Sequence, residues 1–200
     1  MKASVLFSGG KDSSLSAILL EPFFEIELIT FSFSLLPVGE FVSKSAYELG
    51  CPYKILYLDT ELLDKALEMA IEDGYPKNAI NYIHYNAIKR LAYIKSNSKE
   101  VIADGTRRND RVPMLVDSQI QSLEDKYNIH YITPLKGYGR SAVDVLVQKY
   151  LEIEQNQSEK IIKADYETEL REIIRQTYGD DKVSQIFPSH VQSRIIKRIK

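Results

Sequence analysis

The chain of 200 residues has one cysteine, Cys51. A single thiol excludes an internal disulfide and any metal site built on a cysteine pair. Cys51, in Leu49-Gly50-Cys51-Pro52, reads as a small buried hydrophobe. Long apolar runs are missing as well: none approaches the roughly 18 to 20 residues that a membrane span requires. Lys2 precedes only a short apolar stretch, too little for a secretory leader. These absences lead to the expectation of a soluble, cytoplasmic protein with no membrane contact. Neither sign of charge dominates, with 26 basic against 28 acidic residues, which argues against a surface that coats nucleic acid along its length. The three histidines are widely spaced and form no paired-histidine zinc pattern. His84, between Ile83 and Tyr85, reads as packing or surface, while His190 keeps both a packing and a functional reading. Thirteen tyrosines are scattered, without the clustered platform on which bases stack.

What is present is an alternation of strand and helix patterns. Ala3–Phe7, Glu25–Phe33, Tyr53–Leu58, Val101–Ala103 and Ile129–Ile132 read as strands. Helical periodicity covers Ser13–Leu20, Glu40–Leu49, about Glu61–Glu72, Asn78–Lys95, Pro113–Lys126 and the chain from Ser141. Such alternation specifies an α/β fold with a doubly wound, Rossmann-like parallel sheet. A break is expected at Ile153–Ser158, dividing the chain into a principal domain, 1–153, and a helical C-terminal extension, 158–200. Ile161, Ile162, Tyr166, Leu170, Ile173, Ile174 and Tyr178 would form the apolar face of that extension. Arg194, Lys197, Arg198 and Lys200 end it as a basic tail, read either as solvated or as resting on RNA phosphates.

The most informative segment is Ser8-Gly9-Gly10-Lys11-Asp12-Ser13-Ser14. It follows a buried strand and opens a helix, so glycine backbone and unpaired first-turn N–H groups face outward together. The serines add hydroxyl donors, Lys11 a cation, and Asp12 a carboxylate able to hold a metal that bridges phosphates. This is a phosphate-binding loop. It is not the Walker pattern, because no glycine stands at the required distance before Lys11, and the G-x-G-x-x-G fingerprint is missing.

The pattern S-G-G-x-D-S resembles the PP-loop of the ATP pyrophosphatase superfamily, whose members include NAD and GMP synthetases, asparagine synthetase and the tRNA thiolases. The tRNA thiolases and related sulphur transferases are the nearest in flavour. The resemblance implies an adenine nucleotide alpha hydrolase-like fold, with ATP and Mg²⁺ as cofactors. It also implies cleavage of ATP between the α and β phosphates to adenylate a substrate oxygen. Thiolases that resolve a persulfide with a second cysteine are not matched, since Cys51 is alone.

Ligands of open parallel sheets sit beyond the carboxyl ends of the strands, so the residues after each strand are the further candidates. Phe31 and Ser32 offer backbone to an adenine edge. Asp104-Gly105-Thr106-Arg107-Arg108-Asn109-Asp110-Arg111 resembles the D-G-T/S-N-x-D-D region of the sulphur transferases, with Arg107 in place of the asparagine. Gly105 and Thr106 match the glycine–hydroxyl pair, and Asp110 stands where those families place a metal-binding acid. Asp104 and Asp110 can supply hard oxygen ligands to Mg²⁺. Arg107, Arg108 and Arg111 can neutralise a leaving pyrophosphate. Lys136 and Arg140, around Gly137-Tyr138-Gly139, are looser phosphate candidates.

The expected function is therefore adenylation. Ser8 to Ser14 bind pyrophosphate, Lys11, Arg107 and Arg108 balance its charge, and Asp12 with Asp110 hold Mg²⁺. A sulphur or nitrogen nucleophile then displaces AMP, delivered from outside because no glutaminase or cysteine pair is present. tRNA is one candidate acceptor, and a homodimer is compatible with a domain this small. The alternative is a non-catalytic ATP- or AMP-binding sensor, or a subunit of a larger modifying complex.

Overall fold

The computed structural model describes residues 1–110, 113–161 and 163–200. Five parallel strands form the central sheet: β1 (Lys2–Leu6), β2 (Glu25–Ser32), β3 (Tyr53–Tyr57), β4 (Val101–Ala103) and β5 (His130–Ile132). Their order across the sheet is β3-β2-β1-β4-β5. The chain builds β2 and β3 to one side of β1, then crosses to place β4 and β5 on the other. That reversal puts the loops after β1 and β4 side by side, at the crevice where such sheets bind ligands.

Both faces are covered, as the expected doubly wound architecture demands. Side chains alternate along β1: Ala3, Val5 and Phe7 pack toward α1 (Lys11–Leu20), α2 (Val38–Leu49) and α6 (Arg140–Tyr150). Leu6 packs toward the opposite layer of α3 (Thr60–Asp73), α4 (Lys77–Ile94), α5 (Asp117–Tyr127), α7 (Tyr166–Tyr178) and α8 (Asp180–Ile186). The stripe Ala79, Ile80, Ile83, Ala87, Ile88, Leu91 and Ala92 is what drives α4 onto the sheet. His84 lies within that stripe and is buried.

Helices α7 and α8 occupy the C-terminal region where helical pattern was expected, but strands frame them. The chain leaves α6 directly into β6 (Leu151–Gln157), so the expected break at 153–158 is largely strand. β6 pairs antiparallel with β7 (Val191–Arg198), the segment read as a basic tail. The sequence Glu-Ile-Glu-Gln-Asn-Gln hides this strand because only one face is buried and its apolar positions are few. Ile153 lies opposite Ile195, which packs with Leu15 and Val42 in the core on the α1 side. Two tail cations are already paired: Arg194 with Glu154 at 2.7 Å, and Arg198 with Glu21 at 2.5 Å. Ile162 lies outside the described residues. Among those described, no helix is long and apolar enough to cross a membrane.

Candidate nucleotide site

β1 ends one residue before Phe7, whose N–H still donates to Ile29 O at 2.8 Å. The chain then turns through Ser8-Gly9-Gly10 into α1. Gly9 adopts φ +76°, a left-handed conformation that a side chain would strain. Gly10 caps α1 in an extended conformation. Its carbonyl accepts from Ser13 Oγ at 3.1 Å and Ser14 Oγ at 2.8 Å. Ser8 N and Gly10 N lie 3.4 Å from Ser13 Oγ and Ser8 Oγ respectively. The loop thus braces itself with its own hydroxyls. Ser14 is fully buried, so its hydroxyl shapes the turn rather than facing a ligand.

The loop after β4 meets this turn directly. A Cβ on Gly105 would stand 2.7 Å from Ser13 N and 2.9 Å from the Asp12 carbonyl carbon. Only glycine lets the two backbones approach so closely, which gives Gly105 a packing reason beyond any ligand. Thr106 donates its N–H to Asp104 Oδ1 at 2.9 Å and its hydroxyl to Pro113 O at 3.3 Å.

Charged groups cluster where the two loops touch. Lys11, nearly buried, is paired with Asp144 of α6. Arg107 Nε lies 3.6 Å from Asp12 Oδ2 and 2.9 Å from Asp110 Oδ1, while Arg107 N donates to Asp110 Oδ2 at 2.7 Å. Asp12 Oδ1 is buried and has no hydrogen-bond partner among the described residues. Burial pushes the Asp12 carboxyl above its ordinary range, although Arg107 and Lys11 pull the other way. Lys11, Asp12, Arg107 and Asp110 therefore lie together where the two loops meet.

Other expected residues are placed differently. Arg108 is exposed, with its guanidinium against Gly139 at the start of α6. Both oxygens of Asp110 are engaged by Arg107, which leaves Asp12 as the carboxylate with an oxygen to offer a cation. Among the described residues no three His, Cys, Asp or Glu side chains form a metal cage of their own. Asp104, read as a metal ligand, is buried beneath the loop. Its Oδ2 accepts from Tyr131 Oη and from His84 Nε2, the latter at 2.9 Å. Burial would raise its pKa, but hydrogen bonds from His84, Tyr131 and Thr106 N hold it below the usual carboxylate value. Lys136 faces Asp117 on the surface, and Arg140 lies 4.0 Å from Asp144. Arg111 lies outside the described residues.

Phe31 packs into the core, and Ser32 is buried at the carboxyl end of β2. Beyond them stands a residue the sequence reading missed. Glu169 of α7 is 2 % exposed, and its carboxylate accepts from Ser32 Oγ, Phe33 N and Leu35 N at 3.1, 2.9 and 3.0 Å. Nothing local in α7 distinguishes Glu169 from the other acids of the helix, Glu167 and Glu172. Its only sequence signal is an acid on a helical face between Tyr166, Leu170 and Ile173. The tyrosines, too, are less scattered than they read. Tyr57, Tyr93 and Tyr127 share a cleft of about 340 Å³ with Lys89 and Arg90, and none of its lining residues belongs to the phosphate-loop cluster.

Comparison with known proteins places this arrangement among relatives. A model described as a family of unknown function, DUF7411, matches residues 1–197. The uncharacterized protein MJ0690 of Methanocaldococcus jannaschii is 40 % identical over 197 residues, covering 98 % of this chain and 96 % of the relative. A crystal structure from the same organism, described as a predicted subunit of tRNA methyltransferase, is also 40 % identical. It covers 100 % of this chain and 99 % of that one, with a TM-score of 0.89. The U34-tRNA thiolase NcsA of Methanococcus maripaludis is 15 % identical, covering 93 % of this chain and 69 % of that one. Its TM-score of 0.47 is too slight a likeness to bear on chemistry.

Proposed function

This chain belongs to the DUF7411 family, and for it we propose a nucleotide-dependent enzyme that cleaves ATP to AMP and pyrophosphate to adenylate an acceptor oxygen. The observation that carries the reading is the meeting of two loops at the strand-order reversal: a Gly-Gly turn entering a helix, and an arginine–carboxylate cluster against it. Asp12 Oδ1, without a partner among the described residues, fits a Mg²⁺ site, since Mg²⁺ in such sites takes one or two carboxylates and completes its shell with phosphate oxygens and water. Bound there, Mg²⁺ would supply charge neutralisation for the phosphate oxygens.

The protein's own part is positioning and electrostatics. The first-turn N–H groups of α1 and the hydroxyls of Ser8 and Ser13 hold the terminal phosphates. Arg107, aligned by Asp110, stands beside Asp12 to take the charge that grows on the leaving pyrophosphate. The acceptor oxygen forms its bond to the α phosphorus as the bond to the bridging oxygen breaks, and that oxygen leaves with the electron pair. A sulphur or nitrogen nucleophile supplied by another protein then displaces AMP. Gly105 and Thr106 form the wall beside the phosphates, whereas Phe31 and Ser32, expected to meet the base, are committed to the core and to Glu169. The description of the Methanocaldococcus relative as a predicted subunit of tRNA methyltransferase supports tRNA as the acceptor, within a larger assembly.

A second reading is favoured by one feature: Lys11 and Arg107 are already paired, with Asp144 and Asp110. In that reading the chain binds ATP or AMP without turnover, as the nucleotide-sensing subunit of a modifying complex. Incubation with Mg²⁺ and α-labelled ATP, with and without bulk tRNA, separates the two. AMP with equimolar pyrophosphate, stimulated by tRNA, is the result expected. Saturable ATP binding with no AMP under either condition establishes the second reading instead.

A further inference from the structure

The phosphate loop is gripped by the C-terminal part of the chain. Ala164 N donates to Ser8 O at 3.3 Å, and Ile195 N, from β7, donates to Gly9 O at 3.1 Å. Lys163 and Ser193 border the same turn. A Cβ built on Gly10 would stand 3.6 Å from Lys163 Nζ, 3.5 Å from Ser193 O and 3.3 Å from Ser8 Oγ. The Lys163 side chain is 13 % exposed and lies 3.2 Å from Asp165 Oδ2. Although burial would raise its carboxyl and the Lys163 charge is the strongest influence holding it low, Asp165 has other partners as well. It caps α7 by accepting from Thr168 N at 3.0 Å and Thr168 Oγ1 at 2.9 Å, with Gln192 Nε2 at 3.4 Å.

Drawing an ammonium group out of water is costly unless charge awaits it. Asp165 is that charge for Lys163, and the pair holds the ammonium beside the Gly-Gly turn. There it is the one cation among Lys11, Arg107 and itself that comes from outside the first 150 residues. Its charge is also felt at Asp12, where it favours the ionised carboxylate. A flexible stem carrying a compact three-donor head suits phosphate oxygens arranged around a turn.

We propose that Lys163 is a polyphosphate-binding residue, so that Lys163, held at the loop beside Ala164, completes the site. This rests on the ATP reading of the site. Because Lys163 stands at Gly10, it addresses the pyrophosphate portion of the nucleotide and leaves the nucleoside monophosphate portion alone.

Titration calorimetry with Mg-ATP, inorganic pyrophosphate and AMP tests this on the full chain. The proteins are wild type, Lys163→Gln, Lys163→Arg and the surface control Lys77→Gln, with melting curves to verify folding. Loss of one charge-assisted contact weakens ATP and pyrophosphate binding by about tenfold in Lys163→Gln, with AMP unaffected and Lys163→Arg close to wild type. Asp165→Asn retains a capping residue and releases Lys163 from its partner, so it binds pyrophosphate at least as tightly as wild type. Wild-type affinity for pyrophosphate in a folded Lys163→Gln, or weakened binding in Asp165→Asn, overturns the role of Lys163 alone. A wild type that binds neither ATP nor pyrophosphate overturns the ATP reading and this inference together. One that binds both but makes no AMP removes turnover and leaves Lys163 in place.

Discussion

Asp12 is held in a state that costs the folded protein stability. Its Oδ1 is buried without a partner among the described residues, and burial raises its carboxyl above the unfolded value of 3.8. A raised folded pKa means that the native state binds the proton more tightly than the unfolded chain, so this group's stabilising contribution is full below the unfolded pKa. That contribution is lost as pH rises through the folded pKa. Asp12→Asn should therefore stabilise the protein at neutral pH by about 1 kcal/mol, and urea unfolding should show the gain shrinking toward pH 4. The same variant should lose AMP formation. A stabilised variant that keeps its activity would remove Asp12 from the site. Asp104 shows the opposite logic, because its depressed pKa adds stability that is lost only as pH falls below the ordinary carboxylate range. Asp12 and Asp104 look alike in sequence, each an acid next to a loop glycine or serine. Only the structure separates the carboxylate with an oxygen to offer from the one fully engaged, through His84 and Tyr131, which lie 20 and 27 positions from Asp104.

At the scale of elements, strands and helices backed by strong periodicity were legible. The run Val101–Ala103 and the α4 stripe needed no tertiary information, because each buries apolar side chains in the register its own period sets. β6 and β7 were not legible. A two-stranded ribbon with one solvated face has few apolar positions to signal it, and its pairing partner lies about forty residues away. The docking of α7 was hidden for a related reason. Glu169 caps the loop after β2 from across 136 residues, a distance over which no local pattern operates. Glu169→Ala leaves Phe33 N and Leu35 N without an acceptor in a buried place and should destabilise the fold by about 3 kcal/mol. Glu169→Gln keeps an accepting oxygen and should fall between the two in denaturant midpoint. If Glu169→Ala unfolds at the wild-type midpoint, α7 is not anchored by this carboxylate.

Across the whole molecule, the sequence divides the chain near residue 153, whereas the contacts run through that line. β6 and β7 pack on α1 and α2, and backbone bonds from Ala164 and Ile195 reach the phosphate loop itself. The candidate site is thus assembled from three places in the chain: the first turn of α1, the loop after β4, and the C-terminal segment. The first two were legible because glycine, hydroxyl and charge stood at fixed spacing after strands. The third was not, since Lys163 carries no motif and meets Gly10 only through the fold. Backbone amide NMR during a Mg-ATP titration detects nucleotide bound at this junction. Saturable shifts are expected at Gly9, Gly10, Lys11, Ser13, Gly105 and Ala164, with the cleft around Tyr57 and Tyr93 undisturbed. Shifts confined to that cleft, or none at all up to millimolar Mg-ATP, would contradict binding at the junction.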